Sequence, residues 1–235
     1  MTRRNFGIFG SCVIGLATLS GLGIKINAKP NLHLRPPGAV DRFDSLCIKC
    51  GQCVQVCPYH SIELLGFDDG INLATAYINA NKRGCYLCDL FPCVLACPSG
   101  ALAHKTTTID DVKMGVAVVK SEFVNLCYAN LEKKVENSDI SELLKRKTYN
   151  QREEKAKEII ANNEGKICEL CVNSCPVPKA IEFVNLNENS QNLAKLPKIN
   201  ESCVGCGVCV EVCFANVIEI IPNATYAQIY KKEIL

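Results

Sequence analysis

The chain has 235 residues, 17 of them cysteine, no tryptophan, 6% aromatic residues and a formal net charge of +2. Arg3, Arg4 and Lys25 are the only charges before residue 29, so residues 29–235 carry −1. A near-neutral body whose largest basic block is Lys145-Arg146-Lys147 lacks the electrostatic footprint of a nucleic-acid partner, and large aromatic anchors cannot dominate its core.

At the N-terminus, Thr2-Arg3-Arg4-Asn5-Phe6 sets two adjacent arginines and a phenylalanine ahead of an apolar stretch from Ile8 to Ile24, closed by Lys25. Residues 1–28 read as a twin-arginine export signal. The plainer reading is an ordinary secretory signal or an anchor helix. Against a spanning helix, the run is short and its glycines weaken it. A protein that receives metal clusters in the cytoplasm must cross the membrane folded, which favours the twin-arginine route. Ile26 is a poor match to the small residue expected before a cut at Ala28, so retention as an anchor stays open. Cys12, inside the apolar run, reads as inert filler.

The other sixteen cysteines form four sets. Cys47, Cys50, Cys53, Cys57 and Pro58 spell C-x₂-C-x₂-C-x₃-C-P, the run by which bacterial ferredoxins hold [4Fe–4S] clusters. Cys85, Cys88, Cys93, Cys97 and Pro98 carry two extra residues between the second and third cysteines. Cys168, Cys171, Cys175 and Pro176 lack one ligand, and Cys127 is the spare that completes them. Cys203, Cys206, Cys209 and Cys213 repeat the first spacing, with Phe214 in place of proline. Disulfides suit these runs poorly, because bridges have no need of a proline after the fourth cysteine. Structural zinc is the stronger rival, but a Cys₄ zinc site calls for neither the third cysteine of the run nor its C-P ending. Four [4Fe–4S] clusters are therefore expected. Each would also fix four side chains, replacing apolar core that the composition lacks.

Each set precedes a strand-length stretch: Ser61-Ile62-Glu63-Leu64, Ala101-Leu102-Ala103, Ala180-Ile181-Glu182-Phe183-Val184 and Val217-Ile218-Glu219-Ile220-Ile221. The expected unit is cluster loop, one helical turn whose first turn takes the proline, then a strand. Cys57 to Cys85 and Cys175 to Cys203 are both 28 residues. The fold class is thus α+β, two tandem bacterial 2[4Fe–4S] ferredoxin-like units: 29–110, a connecting segment 111–126, then 127–221 with a charged helical insertion at 131–166, and a tail at 222–235. In such units the fourth cysteine of each set binds the other cluster. That groups Cys47, Cys50, Cys53 with Cys97; Cys85, Cys88, Cys93 with Cys57; Cys127, Cys168, Cys171 with Cys213; and Cys203, Cys206, Cys209 with Cys175. Pairing set one with four and two with three remains the open alternative.

In the insertion, Asp139 with Glu142 offers a capping box, and Leu143, Leu144, Ile159 and Ile160 a thin apolar stripe. Its mixed charges read as a solvated excursion, or functionally as a docking surface. His60 and His104 follow cluster loops, where an imidazole can tune a potential but more often is surface polarity. The sequence offers no Ser–His–Asp set, phosphate-cradling glycine loop or paired acids, so no substrate-converting site is expected.

Twin arginines, Leu34-Arg35-Pro36-Pro37-Gly38-Ala39, Cys47-Ile48-Lys49-Cys50-Gly51-Gln52-Cys53 through Tyr59, Pro92-Cys93-Val94-Leu95-Ala96-Cys97-Pro98-Ser99-Gly100-Ala101-Leu102 and Met114-Gly115-Val116-Ala117-Val118 together resemble the NapG/MauM family of ferredoxin-type proteins. The resemblance covers nearly the whole chain except 131–166, and Cys127 falls where the family places an isolated cysteine. It implies a periplasmic electron carrier at the face of the cytoplasmic membrane, with four [4Fe–4S] clusters. Its implied partners are a NapH-type membrane quinol dehydrogenase, a downstream cytochrome or periplasmic nitrate reductase, and the twin-arginine translocase during export. Two rivals remain. One is the four-cluster subunit of a molybdenum oxidoreductase of the dimethyl sulfoxide or polysulfide type, which usually borrows export from its catalytic partner. The other is a non-redox metal scaffold or assembly protein.

Overall fold

A computed structural model describes residues 33–185 and 194–231, so the expected signal and Cys12 lie outside the described residues. The first half holds α1 (Phe43–Leu46), α2 (Gln52–Gln55), β1 (Ile62–Leu64), β2 (Ala76–Ile78) and α3 (Pro92–Leu95). After β3 (Gly115–Val119) come the longer helices α4 (Asn137–Leu144) and α5 (Gln151–Ala161). The second half continues with α6 (Leu170–Asn173), β4 (Ile181–Asn185), β5 (Lys195–Ile199), α7 (Val208–Glu211), β6 (Ile218–Pro222) and α8 (Tyr226–Tyr230).

Strand pairing repeats between the halves. β1 and β2 form an antiparallel hairpin with Ile62 opposite Ile78, and β4 and β5 do the same with Ile181 opposite Ile199. Around each hairpin the outer segments pair: Ala39 bridges Leu102 in the first half, and β3 pairs with β6 in the second, Gly115 opposite Pro222. These are tandem ferredoxin-like units. Residues 111–126 are more than the connection expected: they contain β3, whose Val116 and Ala117 are buried and which forms a two-stranded sheet with β6 of the second unit.

Helical turns also fall differently from the expectation. Each precedes the fourth cysteine of its set: Cys53, Cys93, Cys171 and Cys209 lie within α2, α3, α6 and α7, and Cys57, Cys97, Cys175 and Cys213 sit two residues beyond them. In all four the fourth cysteine's N–H closes a last turn, onto Val54, Val94, Val172 and Val210 respectively, at 3.2–3.4 Å. In sets one to three a proline follows, where a residue without an N–H costs no ladder bond. Gly51 and Gly207 start α2 and α7 at φ 72° and 84°, a left-handed geometry that only glycine adopts without strain. Three residues past the fourth cysteine, His60, Gly100 and Asn216 all take positive φ (52°, 70° and 53°), so His60 stands at a turn position of the repeat.

The Leu34–Ala39 block earns its residues structurally. The buried Arg35 guanidinium donates to Thr75 Oγ1 (3.1 Å) and the Ala76 carbonyl (2.9 Å), pairs with Asp44 at 2.6 Å and lies over the Phe43 ring. It ties the entering chain to the first hairpin.

Residues 131–166 are not a purely solvated excursion. Ile140, Leu143 and Ile160 form a core with Val135, Leu170 and Val212, while Leu144 packs at its edge and Ile159 is exposed. The capping box is Glu136 with Asp139, not Asp139 with Glu142, because the helix begins a turn earlier than its apolar pattern suggests. The Asn150 side chain caps α5, accepting from the N–H groups of Arg152 and Glu153. Among the described residues no helix is long and apolar enough to cross a membrane.

Candidate metal centres

Cysteines distant in sequence meet around apolar cavities. Cys47 leaves α1, Cys50 follows, Cys53 lies on α2, and Cys97 arrives from α3; together they line one apolar cavity with Phe43, Leu64, Ala76 and Leu102. Cys85, Cys88 and Cys93 meet Cys57 around a second, walled by Pro58, Ile62, Tyr86 and Pro92. Cys168 and Cys171 meet Cys213 and the isolated Cys127 around a third, with Tyr128, Phe183, Val212 and Phe214. The remaining four, Cys175, Cys203, Cys206 and Cys209, gather on the core shared by Val210, Ile181 and Ile218 and its neighbour. The fourth cysteine of each set is thus exchanged with its neighbour within a unit, one with two and three with four. We refer to these groups as sites I, II, III and IV, by the set that supplies three of their four cysteines, Cys127 counted with set three.

Two observations test whether these residues suit an iron–sulfur core. Among the described residues, no group of three or more His, Cys, Asp or Glu is placed to hold a single metal ion; the thiols instead line apolar cavities in sets of four. Burial, then the neighbouring thiols, pushes Cys53 up to about 11 and Cys93 up to about 12. Burial pushes Cys206 up to about 12, with Cys175 and Cys203 adding to it. Four thiolates in so apolar a cavity would repel one another without a cationic centre, and a coordinated thiol is deprotonated outright. The donor set therefore fits a [4Fe–4S] core.

Backbone donors face the sulfurs. The N–H groups of Ser61, Leu102 and Val217 donate to Cys57, Cys97 and Cys213 Sγ at 3.3, 3.4 and 3.3 Å, and that of Ala117 to Cys203 Sγ at 3.5 Å. Set three departs from this: Cys175 Sγ lies 3.3 Å from the Val177 carbonyl, an acceptor. At Cys97 burial is the largest influence and raises the thiol, but donors from Leu102, Ser99 and Ala101 together outweigh it and draw the value below normal. His104 Nε2 lies 2.9 Å from the Cys97 carbonyl, and His60 Nδ1 3.0 Å from Glu153, so neither imidazole bonds to a sulfur.

A buried ionic group escaped the sequence reading. Glu211, inside the fourth cysteine loop, accepts from the Gly84 N–H at 2.8 Å and pairs with Arg83 and Arg146. Burial raises its carboxyl, opposed by the Gly84 N–H and the two arginines. Glu153 of α5, 1% exposed, receives His60, Arg83 and the Tyr149 N–H. The only signal in sequence was an acid within a run of buried valines on α7.

Comparison with known proteins agrees with this geometry. Residues 46–101 and 166–223 each match a 4Fe-4S dicluster domain. Over 210 residues the chain is 30% identical to ferredoxin-type protein NapG of Escherichia coli (strain K12), covering 87% of this chain and 75% of that one. The chain belongs to the NapG/MauM family of ferredoxin-type proteins. Within that family it is 29% identical over 221 residues to the methylamine utilization ferredoxin-type protein MauM of Paracoccus denitrificans, covering 91% of this chain and 83% of the relative. With MauM of Methylobacillus flagellatus the identity is 29% over 228 residues, 95% and 81% of the two chains. No solved structure matches. Like its relatives the chain is a ferredoxin-type iron–sulfur protein of electron transfer. Cys127 and β3 lie outside both domain matches, so only the tertiary structure brings them to the family's centres.

Proposed function

We propose that this NapG/MauM family member binds four [4Fe–4S] clusters and relays electrons from a NapH-type membrane quinol dehydrogenase toward the periplasmic nitrate reductase. The proposed ligands are Cys47, Cys50, Cys53 and Cys97; Cys57, Cys85, Cys88 and Cys93; Cys127, Cys168, Cys171 and Cys213; and Cys175, Cys203, Cys206 and Cys209. The observation that carries this reading is the exchange of fourth cysteines between neighbouring sets, in both tandem units, which gathers four thiols around an apolar cavity at three of the sites. When bound, each cluster supplies a one-electron site. The protein's own residues hold those sites and shield them. Val94 and Val208 are fully buried beside cysteines and exclude water, and the N–H donors to Cys57, Cys97 and Cys213 stabilise added negative charge on sulfur. A twin-arginine signal at 1–28 would deliver the folded, loaded chain to the periplasmic face of the cytoplasmic membrane.

Deleting the chain should slow quinol-dependent nitrate reduction while leaving reduction by an artificial small-molecule donor intact. Loss of both activities would indicate an assembly role, and loss of neither would remove nitrate reductase as the acceptor. A second reading, electron transfer in methylamine utilization, is favoured by the comparable identity to the MauM relatives. Methylamine-dependent growth of the same deletion strain separates the two.

A further inference from the structure

The two units meet where cysteine loops two and four touch. The Cys85 N–H donates to the Cys206 carbonyl at 2.8 Å, so one hydrogen bond joins residues of sites II and IV. Beside it, Gly84 lies so near α7 that a Cβ there would stand 2.4 Å from the Val208 nitrogen and 2.6 Å from the Gly207 carbonyl carbon. Real side chains do not reach such distances to backbone, so glycine is required for the approach. Glu211 holds the same point by accepting the Gly84 N–H, and Arg83 and Arg146 brace its carboxylate from the first unit and from the segment after α4. Met114 N–H donates to the Val204 carbonyl, a further stitch between the connecting segment and loop four.

Within each unit the links are covalent. The stretch Cys53–Cys57 runs from site I to site II, and Cys93–Cys97 returns; Cys171–Cys175 and Cys209–Cys213 do the same between sites III and IV. α2 packs on α3 and α6 on α7 along these paths.

From these contacts we infer that the electron path is linear in the order I–II–IV–III, crossing between the units at the Cys85–Cys206 backbone hydrogen bond that Gly84 and Glu211 position. The inference rests on the four-cluster reading above. It makes the chain order of the cysteine sets differ from the path order, and it leaves sites I and III as the two ends. At site I Cys50 is exposed next to exposed Ile48, and at site III the half-buried Cys127 follows exposed Leu126.

The test uses the full chain, purified anaerobically and reduced stepwise, with magnetic interaction between reduced clusters read by electron paramagnetic resonance. Cys50→Ala combined with Cys127→Ala removes sites I and III and should leave about 8 irons whose two spectra are mutually broadened. Cys88→Ala removes site II and should leave site I as an isolated, unbroadened signal beside an interacting IV–III pair. Gly84→Ala should weaken the II–IV interaction while the I–II and IV–III interactions persist. The linear order is refuted if II and IV do not interact with their iron present, or if site I stays coupled after Cys88→Ala. Should Gly84→Ala not fold, the cysteine variants still decide the order. Wild-type protein carrying far fewer than about 16 irons would instead overturn the four-cluster reading, so the two failures are distinguishable.

Discussion

Ile140→Ala tests whether the segment between Cys127 and Cys168 is part of the metal-binding core. Ile140 is 0% exposed and packs with Val135, Leu143, Ile160, Leu170 and Val212. The substitution removes three side-chain carbons from this cluster. At about 0.8 kcal/mol per buried methylene, transfer alone costs roughly 2.4 kcal/mol, and a partly unrelaxed cavity brings the total to about 2–5 kcal/mol. Leu170 precedes Cys171 and Val212 precedes Cys213, so the loosened packing falls on site III, while sites I and II lie on a different core. In anaerobic denaturant titrations followed by iron release, site III should empty first and at clearly lower denaturant than in wild type, with the first unit unchanged. A loss below about 0.5 kcal/mol, the range of surface substitutions, would refute this and return the segment to a solvated excursion. Iron release advanced equally at every site would refute the localisation.

Cys127→Ser should damage one cluster and spare the others; full iron and an unchanged resonance spectrum would mean that Cys168 and Cys171 take another partner. Arg35→Lys removes the guanidinium fork that serves Thr75, Ala76 and Asp44, and should cost about 1.5–3 kcal/mol in anaerobic unfolding, mostly in the first unit. Ser99→Ala deletes a hydroxyl 3.7 Å from Cys97 Sγ that also accepts the Ala101 N–H; redox titration should find one potential lowered by about 20–60 mV, corresponding to a hydrogen bond of about 0.5–1.5 kcal/mol. Replacing Arg3 and Arg4 together by lysine keeps the charge yet should leave the protein in the cytoplasm, as fractionation will show, because a twin-arginine receptor reads the guanidinium pair; undiminished export would identify an ordinary secretory signal.

Much of the site was legible in the sequence because its chemistry is local. Three thiols two residues apart must lie in one tight loop, so Cys47-Cys50-Cys53 and Cys203-Cys206-Cys209 announce cluster loops without any fold. Strands after loops one, three and four were legible for the same reason, since Ile62, Ile181 and Ile218 are each followed by a glutamate; after loop two, Leu102 makes only an isolated bridge to Ala39. The helical turn was misplaced because proline was read as a helix start, whereas a last turn closing onto the fourth cysteine's N–H sets its end.

What the sequence by itself determined, then, is the ligand type, the repeat and the family resemblance, all carried by spacings of a few residues. Tertiary structure decided which fourth cysteine joins which set, that Cys127 reaches Cys168 across some forty residues, and that β3 completes the second unit. It also decided that Glu153 and Glu211, unremarkable charges in the sequence, are buried between units beside Arg83 and Arg146. Each of these depends on contacts between residues far apart in the chain. Their free energy comes from burial and pairing that exist only once both partners are folded, so no local spacing encodes them.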